Sequence, residues 1–135
     1  MNRYTILFHA DQKTTILDSC NNLEELTRLL DLSDANASEA WDNGFTCLNR
    51  AAIQGNLDIV KLLLANNANP NAQGTNNLKT PLHAAAANGD NLVVTELLNA
   101  GARNDITMSS GRTPSELARF KSYTSTADLI ENGGG

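Results

Sequence analysis

The chain has 135 residues, a formal net charge of −5 and only 4% aromatic residues. The acidic balance argues against a nucleic-acid partner, because phosphate-backbone binding draws on clustered Lys and Arg. No apolar run approaches the roughly 18 residues that a membrane helix needs, and with so few aromatics the core must be aliphatic.

At the start, Tyr4 to Phe8 reads equally as a short strand or as the start of a capping helix. Its apolar run of about four residues is too short for a secretory signal. The expected location is therefore the cytoplasm, with delivery into a host cell by a specialised apparatus left open. Leu17-Asp18-Ser19-Cys20 ends one helix, and Leu23 to Leu30 forms another with apolar residues at helical spacing. Residues 1–50 hold eight acids against four bases, a solvated cap surface in the plain reading.

Further on, Thr46, Thr80 and Thr113 follow one another at spacings of 34 and 33 residues. A fixed period of that length marks a stacked helical array. Each threonine stands where a helix N-cap is expected, and Pro81 and Pro114 come next, a good first helical residue because its missing N–H would be unpaired anyway. Small residues follow at Ala51-Ala52, Ala84 to Ala87 and Ala118, where two short helices must approach closely. Gly55 and Gly89 suit left-handed C-caps. Second helices then carry Leu57, Val60, Leu63 and Leu64 in one unit and Val93, Val94, Leu97 and Leu98 in the next.

These residues resemble the ankyrin-repeat family. DNGFTCLNRAAIQGNLDIVKLLLANNANPN at 42–71 and LKTPLHAAAANGDNLVVTELLNAGARND at 78–105 follow its pattern, and GRTPSELARFKSYTSTADLIENG at 111–133 is an eroded third copy. The resemblance implies an all-α solenoid of about four units with hairpin-like loops. We divide it into an N-terminal capping unit (1–41), two repeats (42–75 and 76–109) and a C-terminal capping repeat (110–135).

Departures from the family pattern carry their own expectations. Cys47 and Asn49 stand where proline and histidine are usual, so the first full unit is expected to lose part of the turn's hydrogen bonding. Asn67 replaces a glycine at little cost, since asparagine tolerates positive φ. The AQGTNNLK stretch lengthens one hairpin, and Leu78 occupies the place of Gly44 and Gly111. Ser122, Thr124, Ser125 and Thr126 should give the last helix a polar outer face. His83 belongs to the TPLH turn, where the resemblance implies a structural role bonding backbone of the adjacent unit. Cys20 and Cys47 lie in neighbouring units and could approach; reduced thiols are the expected state in a reducing compartment. Gly133-Gly134-Gly135 reads as a flexible end.

No phosphate-binding, zinc-protease or nucleophile-elbow motif is present, and the cysteines and histidines lack metal-ligand spacing. Asp58, Asp90 and Glu96 read as solvated helix carboxylates. No enzyme activity, cofactor or metal is therefore expected. The resemblance implies protein–protein interaction through the hairpin tips and the inner helices. Carried over by position, the tips are Asp42, Asn43 and Phe45, then Asn76, Asn77 and Lys79, then Ser109, Ser110 and Arg112. The inner-helix positions are Ile53 and Gln54, Ala87 and Asn88, and Phe120 and Lys121. Trp41 reads equally as an anchor beside Phe45 or as a packing residue on the capping unit. The partner is a protein of unknown identity and the free chain is expected to be monomeric. Inhibitor, tether and secreted microbial effector are the roles open to such a module; an assembly unit that oligomerises through its end repeats, or an immunity-type toxin inhibitor, are the alternatives.

Overall fold

The computed structural model describes residues 17, 19–31, 36–38, 40, 44–75 and 77–133, and the following refers to these. They form seven helices: α1 (Leu23–Leu30), α2 (Cys47–Gln54), α3 (Leu57–Ala65), α4 (Pro81–Asn88), α5 (Asn91–Asn99), α6 (Pro114–Phe120) and α7 (Thr124–Glu131). The sole β feature among them is an isolated bridge between Ala40 and Thr46. The earlier alternatives for Tyr4 to Phe8 lie outside the described residues.

Helices α2, α4 and α6 pack side by side as an inner row, and α1, α3, α5 and α7 pack as an outer row behind them. Each inner helix begins the same way. Thr46, Thr80 and Thr113 take extended backbone at the N-cap, and each closes a capping box with the residue three positions on. Such reciprocal pairing satisfies two N–H groups that a helix start otherwise leaves open. The inner helices α2 and α4 end at Gly55 (φ 70) and Gly89 (φ 64), where the left-handed turn sends the chain straight into the outer helix. In the last unit Ser122 takes that conformation instead, at φ 71.

Alanine sets the distance between the rows. Ala51, Ala52, Ala85, Ala86 and Ala118 are fully buried, and the larger Leu48, Leu82, Ile59, Val60, Leu63, Val93, Val94, Leu97 and Ile130 fill the space beside them. Burying each of these aliphatic side chains contributes about 1.5–3 kcal/mol. The core is therefore a strip continued from unit to unit, and it rests on neighbours, as stacked arrays do.

At the N-terminal end α1 buries Leu26, Leu29 and Leu30 and packs on α3, the place of an outer helix in a preceding unit. Cys20 and Cys47 are joined as a disulfide, with their Cα atoms 5.2 Å apart and both residues buried. This corrects the expectation of reduced thiols: the turn before α1 and the first turn of α2 present their Cβ atoms to one another at bridging distance.

At the other end Thr126 is buried, and its hydroxyl donates to Asn91 Oδ1 at 2.6 Å. The polar face expected there is thus narrower: Ser122, Thr124 and Ser125 are exposed, while Thr126 fastens α7 to α5. Asn104 Nδ2 donates to the Ile130 carbonyl, and Arg119 pairs with Asp128 and Glu131, tying α6 and the preceding unit to α7. Asp90 likewise is a working N-cap, accepting the Val93 N–H, and not a purely solvated carboxylate.

Candidate functional site: the tips and inner-helix surface

The surface begins at the capping boxes, because these hold each hairpin tip against its inner helix. In the unit of α4, the Thr80 N–H donates to His83 Nδ1 at 3.1 Å and the His83 N–H donates to Thr80 Oγ1 at 3.2 Å. With Nδ1 accepting, the ring proton sits on Nε2, which donates to the Arg112 carbonyl at 2.9 Å. One imidazole thus joins its own helix start to the next hairpin. Burial holds the His83 pKa below its ordinary value, the Arg112 carbonyl opposes this and the Lys79 charge reinforces it.

Asn49 does the same work in the preceding unit. Its Oδ1 accepts the Thr46 N–H at 2.8 Å while its Nδ2 donates to the Ala72 carbonyl at 3.0 Å. The expected weakness of this turn is therefore not found: an amide, like a neutral imidazole, carries an acceptor and a donor on opposite sides. In the third unit Glu116 occupies the position and accepts the Thr113 N–H at 2.8 Å. A carboxylate offers no donor, so Glu116 caps its own helix without reaching across to another hairpin as His83 and Asn49 do.

The tips are joined in series. Ser109 N–H donates to the Asn77 carbonyl at 2.8 Å, and Gln73 Nε2 donates to the Leu78 and Thr107 carbonyls at 2.7 and 3.3 Å. Gly44, Leu78 and Gly111 share positive φ, at 79, 60 and 87. Leu78 thus takes the left-handed backbone of the two glycines, but its N–H bonds the Gly74 carbonyl four residues back where the Gly111 N–H bonds Met108 three residues back, in keeping with the longer hairpin expected of AQGTNNLK. That conformation costs a non-glycine residue about 1–2 kcal/mol, and Leu78 is 40% exposed, so burial offsets only part of the strain.

Helix α2 turns Arg50, Ile53 and Gln54 outward, an i, i+3, i+4 face opposite its buried residues. The equivalent places on α4 are Ala87, half-buried, and Asn88, exposed, and on α6 Phe120 and its C-cap Lys121, both exposed. Asn88 is partly committed to structure, since its Nδ2 donates to the carbonyls of Ile53 at 2.9 Å and Ala52 at 3.3 Å. The Arg112 guanidinium lies over the Phe120 ring, 4.0 Å from the centroid, so a tip residue and an inner-helix residue form one unit. Ile53 is 52% and Phe120 63% exposed, large apolar side chains that the core does not use. Lys79 and Arg112 are half-buried, Asn77, Ser109 and Ser110 are exposed, and Phe45 is half-buried. Asn77 Oδ1 also accepts the Lys79 N–H, fixing the tip. Trp41, Asp42, Asn43 and Asn76 lie outside the described residues. Arg50 was missed from sequence because the buried Leu48, Ala51 and Ala52 around it read as core, although its i, i+3 spacing from Ile53 was there to find.

A family model described as ankyrin repeats, in three copies, matches residues 7–108. Among similar proteins, human cyclin-dependent kinase 4 inhibitor B is 36% identical over 99 residues, covering 69% of this chain and 70% of that protein. The tyrosine-protein kinase HTK16 of Hydra vulgaris is 38% identical over 92 residues, 66% of this chain. Glycerophosphocholine phosphodiesterase gde1 of Schizosaccharomyces pombe is 36% identical over 138 residues, 94% of this chain. The chain spans 12% of the length of each of the last two. No helix among the described residues is long and apolar enough to cross a membrane.

Proposed function

The chain belongs to the ankyrin-repeat family, whose repeats bind protein partners, and from that premise we propose that it is a non-enzymatic module gripping one protein through its tips and inner-helix surface. The observation that carries this reading is that, of six large apolar side chains left open to water among the described residues, Ile53, Phe120 and Leu78 lie on the inner helices and tips, with Phe120 stacked under the Arg112 guanidinium. Buried aromatic and arginine anchors dominate many interfaces, and the stacked Arg112–Phe120 unit supplies both. The mechanism is masking: the module covers a partner's surface and so inhibits or tethers it. Human cyclin-dependent kinase 4 inhibitor B, named as an inhibitor, is the similar protein most fully covered among those described.

Affinity capture from cell extract tests it. Wild-type protein should retain a partner that the Ile53→Ala, Arg112→Ala, Phe120→Ala variant loses by tenfold or more, the scale of one or two interface anchors. Unchanged capture by the folded triple variant would remove this surface from the reading. The Cys20–Cys47 bond favours an oxidising compartment over the cytoplasmic one that the short N-terminal apolar run implied, because reducing pools keep such pairs open. Differential thiol labelling of the protein in its native source checks this: alkylation without prior reduction would restore the cytoplasmic placement.

A further inference from the structure

Charge is sorted between the two helix rows. Among the described residues, five bases have no carboxylate within salt-bridge distance: Arg50, Lys61, Lys79, Arg112 and Lys121, whereas Arg28, Arg103 and Arg119 are paired. Four of those five lie on the tips and inner row, and Lys61 alone is on an outer helix. Most of the acids lie elsewhere, although Asp90 caps α5 beside Gly55 at the end of α2 and Asp105 pairs with Arg103 in the loop before α6. Asp58, Glu96, Asp128 and Glu131 sit on α3, α5 and α7, and Glu24 and Glu25 on α1. On α2, α4, α6 and the described tips the sole acid is Glu116, near enough to Arg112 to feel its charge and committed by its carboxylate to the Thr113 N–H.

We propose that the inner surface of this net-acidic chain is a cationic ladder that takes an acidic, extended segment of its protein partner, with the carboxylates meeting Arg50, Lys79, Arg112 and Lys121. This rests on the protein-binding reading above and names its partner chemistry. Neighbouring packed helices lie about 8–10 Å apart, so the backbones of the successive tips that carry Lys79 and Arg112 are spaced on about that scale. An extended chain advances roughly 3.3 Å per residue, which puts an acid at about every third residue in register with the ladder. Ile53, Leu78 and Phe120 are exposed on the same helices and tips as the cations and suit apolar residues of the segment. The ring under Arg112 holds its guanidinium in place before binding, so its parallel N–H groups can take a carboxylate in bidentate fashion with little ordering left to do. A polyphosphate chain fits less well. Its charges are continuous, whereas the four cations are discrete and share their surface with exposed apolar side chains.

The test uses the whole chain and three fluorescent probes of equal length: a peptide repeating Glu-Ser-Leu, the same peptide with Gln for Glu, and a thymidylate strand. The Glu peptide should bind, weaken as salt rises, and exceed both others. Changing the four cations together to glutamine should lower its affinity by about tenfold or more, two- to fivefold for each exposed charge, while Lys61→Gln should leave it within about twofold. The double variant Arg50→Gln, Lys121→Gln, at two exposed sites outside the core, gives an intermediate loss with little risk to the fold. The proposal is overturned by no salt-sensitive binding of the Glu peptide, by tighter binding of the strand, by an equal loss with Lys61→Gln, or by self-association of the chain that the four changes abolish. If the four-cation variant still captures from extract the partner that the Ile53, Arg112 and Phe120 truncations lose, the protein-binding reading stands and this inference alone falls.

Discussion

Replacing His83 separates the two jobs of its ring. In His83→Ala the Thr80 N–H loses its acceptor, while the Arg112 carbonyl loses one donor but keeps the Met108 N–H at 2.9 Å. An unpaired buried N–H costs about 1–3 kcal/mol, and the void left by a fully buried ring adds to it, so the loss should be about 2–4 kcal/mol. His83→Asn should cost only about 1 kcal/mol, because Asn49 already makes both contacts from the equivalent place in α2. The pH dependence supplies a second readout. Folded His83 has a pKa below its ordinary value because burial disfavours the imidazolium, and protonated Nδ1 could no longer accept from Thr80. As pH falls below about 6.5 the unfolded chain gains a proton that the folded chain refuses. The stabilisation is therefore full above that pH and drains away on the acid side, down to the depressed folded value. The groups with lowered carboxylate pKa values, Glu25, Asp105 and Glu116, act at lower pH. Thermal melts from about pH 7.5 to about 5.5 should show wild type losing stability, with His83→Asn visibly flatter across the same range. If His83→Asn kept the wild-type slope, or His83→Ala melted within a degree or two of wild type, the assigned tautomer and its two bonds would be wrong.

Asn49→Ala should destabilise by about 2 kcal/mol in chemical denaturation, since Thr46 N–H and Ala72 C=O lose their partner together; a change of a few tenths would restore the idea of a weak turn. At Gly89 an added Cβ meets the Tyr123 ring at 2.6 Å on a backbone of φ 64, whereas at Gly55 its nearest neighbour is Asp90 Oδ2 at 3.1 Å. Both alanine variants pay about 1 kcal/mol or more for the left-handed backbone, but Gly89→Ala should lose more, and a Tyr123→Ala background should bring its loss down to that of Gly55→Ala. Breaking the Cys20–Cys47 pair by Cys20→Ser opens a loop with 27 residues of separation, worth about 3.5 kcal/mol of chain entropy. Hydrogen exchange should then quicken first in α1, and equal exchange in the oxidised and reduced proteins would show that the bond does not hold the capping unit.

Much of this architecture was written locally in the chain. A threonine cap, a proline at the next position, a stripe of alanines and a glycine stop all act within one short helix, so the period of 33–34 residues and the helix faces could be read directly, and the resemblance then carried over the inner-helix positions Ile53, Gln54, Ala87, Asn88, Phe120 and Lys121. What tertiary structure alone decided depends on groups a full repeat apart. Asn49 compensates for the missing histidine because its amide reaches Ala72, Thr126 is buried because Asn91 waits on the preceding outer helix, and Cys20 meets Cys47 because two units stack. The sorting of cations to the inner row and acids to the outer one is of the same kind. Along the chain the two signs are intermingled; the repeat period already sets Lys79 and Arg112 at equivalent tips, and stacking the helix pairs is what separates them from the carboxylates of the outer row.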